Sequence, residues 1–342
     1  MKTKRYIHEM VPSQDRLSLT KSLPHAEGRG ARVHILALGD VGATLLLGLK
    51  VLGAGTIDTI GIYDVNPNVL ERYEREMNQM GWAFEEAEAE DEGKAVLPEV
   101  VILKEEELFD CDLFLFCASK AIPAIGVKGD VRMMQFEANR KIVEHFASMA
   151  GAADYKGIFG VVSDPVDPLC KAALLASGLE PGQIRGFGLG VMNRRAVYYA
   201  RKDERLISYP VEGRAFGPHG GDLVIANSIE HYDDELSRHL TRLTVEANLE
   251  VRELGFKPYL APAISSGAMS VLRALRGQWH YSSVYLGEPV QQAEDGTRTA
   301  QGAFLGVKNR IDGMKLEYED LLLPQPLYER IKHAYDNLCG II

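Results

Sequence analysis

The residues with the most pointed spacing form a short glycine turn, Ala37-Leu38-Gly39-Asp40-Val41-Gly42, at the end of an apolar run over 33–38. A glycine turn between a buried strand and a helix lets backbone N–H groups approach a pyrophosphate at the positive helix N-terminus. Against the full pattern G-x-G-x-x-G, Gly39 holds the close-approach position and Gly42 the helix-packing position. Ala37 replaces the first glycine, which is tolerable where its φ is negative. Asp64 closes the next apolar run, 22 residues after Gly42, where a carboxylate can accept hydrogen bonds from a ribose diol. A carboxylate there repels a 2′-phosphate and so favours NAD over NADP. The plainer alternative is an ordinary strand-to-helix turn with a surface Asp. Asp40, like-charged to a pyrophosphate, keeps that alternative in play.

Four further segments follow in order. Arg132 precedes Asn139 by seven residues at the start of an expected helix over 133–149. An apolar strand over 157–162 leads into Ser163-Asp164-Pro165-Val166-Asp167. Then come Gly190-Val191-Met192-Asn193-Arg194-Arg195 and, last, Phe216-Gly217-Pro218-His219-Gly220-Gly221-Asp222. In this combination the chain resembles the lactate/malate dehydrogenase family from about Arg32 to its C-terminus. The family's T/S-N-P-V-D appears as Ser163 to Asp167, with Asp164 in place of Asn. Its G-E-H-G appears as Gly217 to Gly220, with Pro218 in place of Glu and the histidine kept. Its R-x(6)-N pattern is matched by Arg132 and Asn139.

Moving a hydride to C4 of a nicotinamide needs a proton donor and acceptor at the substrate oxygen, and histidine suits that task because its pKa lies near neutral. The resemblance implies this role for His219. It implies that Arg132 arrives from a closing loop to polarise the substrate carbonyl, and that a second arginine grips the substrate carboxylate in a bidentate fork. Arg195 is the candidate for that fork, with Asn139 a further substrate contact. Cofactor contacts are implied at Gly39, Asp40, Val41, Gly42 and Asp64, and at Ala118, Ser119 and Asp164.

The family's L-D-x-x-R fits in two competing registers. One puts Asn193 at the acid that orients the histidine and loses the arginine to Ala196. The other recovers Arg195 and puts Met192 at the acid. In both, the relay carboxylate is absent or has become an amide. In a comparable triad an Asp-to-Asn change lowers turnover about 10⁴-fold. Asp164 or Asp222 is placed to supply the lost charge from another direction. The loop over 119–131, with Lys120 at its start, is longer than the family's. It reads either as a lid for a bulkier substrate or as an insertion without a role.

The elements that must position these residues read as an α/β fold. Apolar strands at 33–38, 59–63, 99–103, 112–117 and 157–162 alternate with helices, the pattern of a parallel sheet covered on both faces. An N-terminal Rossmann-type sheet is expected over 31–165, preceded by an extension at 1–30 and followed by an α+β substrate domain at 166–342. There, 184–191, 196–201 and 206–211 suggest strands, 222–254 and 263–275 helices, 284–286 and 303–309 a late hairpin, and 325–338 a final helix. The acidic stretch 85–92 reads as a solvated face or loop.

Composition bounds the rest. Thirty-eight Lys and Arg against 48 Asp and Glu leave a net charge of −10, which argues against nucleic-acid binding. Cys111, Cys117, Cys170 and Cys339 form no C-x-x-C pair, and no apolar run reaches membrane length. The basic N-terminus lacks an apolar signal region, so a cytoplasmic protein with no membrane partner is expected. The leading expectation is an NAD-dependent oxidoreductase acting on a 2-hydroxy or 2-oxo acid, assembled as a homodimer or homotetramer with 222–254 near the subunit contact. The alternatives are an NAD-binding homologue without turnover, serving as sensor or assembly partner, and a redox-assisted glycosidase with a metal held by Cys170 and His219.

Overall fold

The computed structural model describes residues 4–11, 22, 29–92, 95–120 and 131–342, apart from the side chains of Asp91, Val131 and Arg132. A short strand, β1 (Lys4–Tyr6), precedes an alternation of strands and helices: β2 (Ala31–Leu36), α1 (Asp40–Leu52), β3 (Ile57–Tyr63), α2 (Pro67–Asn78), α3 (Glu85–Glu92), β4 (Glu99–Ile102), β5 (Leu113–Phe116), α4 (Val131–Ala152), β6 (Ile158–Val161), α5 (Val166–Ser177) and β7 (Ile184–Gly186). Strand β2 pairs in parallel with β3 and β5, and the ladder continues from β3 to β4 and from β5 through β6 to β7. The order β4-β3-β2-β5-β6-β7 changes its direction of travel at β2. Loops leaving β2 and β5 therefore diverge and open a crevice at the carboxyl ends of the strands, as in dinucleotide-binding sheets.

Successive residues of these strands face opposite cores, so both faces must be apolar. Leu113 and Leu115 join Val33, Ile35 and Ile60 under Leu45 and Leu49 of α1. Phe114 and Phe116 turn the other way, onto Phe159, Val161 and Val143 and Ala147 of α4.

The chain continues through α6 (Leu189–Ala200), α7 (Tyr209–Glu212), β8 (Arg214–Phe216), β9 (Val224–Ala226), α8 (Asp234–Glu253), a π-helical turn at Pro262–Ala268, α9 (Met269–Leu275), β10 (His280–Gly287), β11 (Gln291–Gln292), β12 (Arg298–Thr299), β13 (Gly302–Asp312), β14 (Lys315–Tyr318), β15 (Leu322–Pro324) and α10 (Gln325–Cys339). Antiparallel β10, β13 and β14 extend the same sheet beyond β7 to nine strands. The expected late hairpin and final helix are thus present.

Several local expectations are corrected. Of the strands expected over 184–211, only Ile184–Gly186 forms one, and Leu189–Ala200 is helical. Val197, Tyr198 and Tyr199 favour strands intrinsically, but Leu189, Met192, Ala196 and Ala200 recur at helical spacing and are buried in one cluster with Leu240 of α8. The region 222–254 begins as the buried strand β9. Its helix starts after Asp233, whose carboxylate accepts the Leu236 N–H at 2.9 Å as an N-cap. The acidic stretch 85–92 is solvated as expected but forms a helix instead of a loop, and Glu85 anchors it by accepting the Leu97 N–H at 2.7 Å. Residues 4–11 are not a loose arm: β1 pairs with β15, and Ile7 is fully buried.

Candidate active site

The glycine turn lies at the carboxyl end of β2, beside the crevice. Gly39 caps α1 with open space where a Cβ would stand, while a Cβ on Gly42 would lie 2.0 Å from the Ala37 carbonyl oxygen. Only glycine at 42 lets the helix close over the turn. The expectation of a negative φ at Ala37 fails: its φ is 73°, the left-handed region, which costs a non-glycine residue roughly 1–2 kcal/mol. That strain is held by two bonds. Ala37 N–H donates to the Tyr63 carbonyl at 2.8 Å, and Leu38 N–H donates to Asp64 Oδ2 at 2.8 Å. Asp64 Oδ1 accepts the Asn66 N–H at 3.0 Å, so the carboxylate is fixed at the end of β3 with further acceptor capacity on each oxygen. Half-buried Val41 packs toward the core from the first turn of α1, and Asp40 Oδ2 lies 2.9 Å from Lys257 Nζ.

At the ends of β5 and β6, Asn139 of α4 ties two loops together. Its Oδ1 accepts the Lys120 N–H at 2.7 Å, and its Nδ2 donates to Ser119 Oγ at 3.3 Å and to the Asp164 carbonyl at 2.8 Å. Ser163 Oγ–H adds a bond to the Ala118 carbonyl at 2.7 Å, and the Asp164–Pro165 peptide is cis.

The histidine sits in a turn after β8 in which Gly217 adopts a φ of 92°. His219 Nδ1 lies 2.9 Å from the Gly188 carbonyl oxygen. A carbonyl only accepts, so Nδ1 carries the proton and Nε2, without a partner among the described residues, is the atom left for proton exchange. Gly188 makes that approach possible: a Cβ on it would stand 3.1 Å from the histidine's own Cβ. The same carbonyl accepts from Ser266 Oγ at 2.6 Å, and Ser266 in turn accepts the Val191 N–H at 2.7 Å. Asp167, buried at the start of α5, holds the other side of the loop. Its Oδ2 accepts the His219 backbone N–H at 3.2 Å and its Oδ1 accepts from Ser283 Oγ at 2.5 Å. Burial pushes the Asp167 carboxyl up to about 6, and the Ser283 and His219 bonds restrain that rise.

Arg195 is half-buried on α6. Burial lowers its pKa, while Tyr199 and Asp164 oppose the shift. Its guanidinium donates to Met192 Sδ at 3.5 Å, and among the described residues it has no ion-pair partner. Also among the described residues, no three His, Cys, Asp or Glu side chains converge as a metal site requires.

No family model matches the chain. An L-lactate dehydrogenase of Treponema denticola is 28% identical over 193 residues, a match spanning 55% of each chain, so the chain covers about half the length of that relative. An L-lactate dehydrogenase of Geobacillus kaustophilus is 24% identical over 298 residues, covering 82% of this chain and 86% of that one. Among solved structures, a lactate dehydrogenase from a Medee basin deep-sea metagenome superposes with a TM-score of 0.71 at 16% identity, covering 92% of this chain and 98% of that one. The malate dehydrogenase of Picrophilus torridus gives 0.68 at 19% identity, covering 92% and 96%. The chain is thus similar in sequence to L-lactate dehydrogenases and shares the fold of lactate and malate dehydrogenases.

Three site expectations are corrected. Asn193 does not orient the histidine, because its Oδ1 accepts from the Tyr209 hydroxyl at 2.9 Å while a backbone carbonyl holds the imidazole. Asn139 is fully buried with its amide engaged on both sides, so it positions loops and offers no substrate contact. Asp222 accepts from Asn337 and makes no hydrogen bond to the imidazole among the described residues. The Arg132 side chain and residues 121–130 of the long loop lie outside the described residues. Sequence reasoning missed Asp167, Gly188, Ser266, Ser283 and Lys257. Asp167 was visible as the last residue of the Ser163–Asp167 motif, and Gly188 as the middle of three alternating glycines; the two serines and the lysine carry no local signal.

Proposed function

We propose that this chain is an NAD-dependent oxidoreductase acting on a 2-hydroxy or 2-oxo acid. The observation that carries the reading is the imidazole of His219, its tautomer set by Gly188 and its Nε2 unpartnered among the described residues, on the carboxyl-end side of a dinucleotide-type sheet. The open cradle at Gly39, the helix N-terminus behind it and the fixed Asp64 carboxylate fit a dinucleotide, and Asp64 selects the unphosphorylated ribose. NAD, when bound, supplies the hydride acceptor or donor.

His219 Nε2 takes the hydroxyl proton as the alcohol is oxidised and returns it when the carbonyl is reduced. The Gly188 carbonyl, accepting the Nδ1 proton throughout, keeps the ring oriented. Arg195, a half-buried cation with no ion-pair partner among the described residues, grips the substrate carboxylate, which favours the register with Met192 at the relay position. Arg132 polarises the substrate carbonyl. Residues 31–165 hold the dinucleotide and 166–342 present the acid-binding groups, in a cytoplasmic homo-oligomer.

One observation favours a second reading. The imidazole partner is a neutral dipole, which stabilises imidazolium less than a carboxylate does, and this suits an NAD-binding homologue without turnover. The two separate when NADH is mixed with a panel of 2-oxo acids and its absorbance followed. Oxidation on one acid, lowered about 10²–10⁴-fold by His219→Asn with NADH affinity retained, is the expected result. NADH binding with no turnover on any acid supports the second reading, and wild-type turnover in His219→Asn overturns the mechanism.

A further inference from the structure

Lys257 reaches the glycine turn from far along the sequence: its Nζ lies 2.9 Å from Oδ2 of Asp40, a residue 217 positions away. Asp40 is the first residue of α1, directly after its N-cap Gly39. The segment carrying Lys257 leaves α8 through Gly255, whose φ is 86°, and enters the π-helical turn at Pro262–Ala268. That turn packs tightly on α1, since a Cβ on Gly48 would lie 2.6 Å from the Ala268 Cβ and one on Gly267 2.7 Å from a Leu45 methyl. The lysine is thereby delivered to the first turn of α1 by packing rather than by chance of a long side chain.

The pair is open to solvent, with side chains 73% and 47% exposed, and exposed pairs add little to stability. Its placement has a clearer consequence for ligands. A carboxylate inside a phosphate-binding turn opposes the dianion that the turn otherwise suits, and the ammonium beside it cancels that charge. An ammonium has three N–H donors, and Asp40 occupies one of them.

We infer that Lys257 is a pyrophosphate-contacting residue of the cofactor site, held at the turn by Asp40 before the dinucleotide arrives. The inference rests on the reading that this site binds NAD. It predicts that charge at position 257 governs affinity for any ligand carrying the pyrophosphate, independently of the nicotinamide.

The test is titration of NADH and of ADP-ribose, by fluorescence and calorimetry at low salt, into the wild-type chain, Lys257→Ala, Asp40→Asn and the double variant. Lys257→Ala is expected to weaken both ligands about tenfold, with the loss shrinking as salt is raised. The loss should persist in the Asp40→Asn background, and the unliganded melting temperature of Lys257→Ala should match wild type because the side chain is exposed. Binding of both ligands within twofold of wild type overturns the inference. So does a loss that vanishes when Asp40 is also neutralised, since Lys257 then acts on Asp40 alone. Wild-type protein that binds neither ligand overturns the cofactor reading itself, and the inference with it.

Discussion

At His219 the partner that sets the imidazole tautomer is the Gly188 carbonyl, and the nearest buried carboxyl, Asp167, holds the histidine through its backbone N–H instead of its ring. Burial raises the Asp167 carboxyl from 3.8 to about 6. Between those values the unfolded chain has released this proton while the folded chain retains it, so the contribution to stability is full below about pH 4 and is lost as pH rises to about 6. A shift of that size corresponds to roughly 3 kcal/mol. Asp167→Asn removes the titration, and its unfolding free energy, measured in urea from pH 4 to 7, is expected to lack the decline that wild type shows over that window. Parallel curves for the two proteins would refute this assignment.

Among elements, the residues of the site gather because β2, β5, β6 and β7 all end on one side of the sheet, and each is followed by a loop with polar groups. Those loops need tying, and Asn139 supplies the tie from α4. Asn139→Ala leaves the Lys120 N–H and the Asp164 carbonyl without their side-chain partner. Each such hydrogen bond contributes about 0.5–1.5 kcal/mol net. The variant is expected to melt several degrees lower and to lose turnover through misplacement of the Ser119 and Asp164 loops. Thermal unfolding and steady-state kinetics check both. An unchanged melting temperature would show that water replaces the amide.

For the molecule as a whole, the sheet passes without a break from the parallel strands through β7 into antiparallel β10, β13 and β14. No described helix is long and apolar enough to cross a membrane. The surface retains large apolar side chains near the end of α8, with Leu249, Leu254 and Phe256 at 50%, 75% and 70% exposure. Apolar side chains grouped in this way mark contact surfaces. Light scattering at micromolar concentration is expected to give a mass of two or four times the 37.8 kDa chain, and a monomer would count against subunit contact at this face.

The five parallel strands of the first half and helices α1, α2 and α4 between them were legible in the amino-acid sequence, because a sheet buried on both faces demands continuous apolar runs of strand length. The turn at Ala37–Gly42 was legible too, as glycine leaves its mark wherever a helix must close on a strand end. Helix α6 was not, because Val197, Tyr198 and Tyr199 resemble a strand until packing against α8 decides the period. Nor was the partner of His219, since a backbone carbonyl has no side-chain identity for a motif to record. The left-handed φ of Ala37 and the pairing of Asp40 with Lys257 likewise arise only when distant segments pack around α1. Periodicity and turn chemistry act between neighbours and are written into the order of residues; which groups meet at the ends of the strands is decided by the packing that brings those ends together.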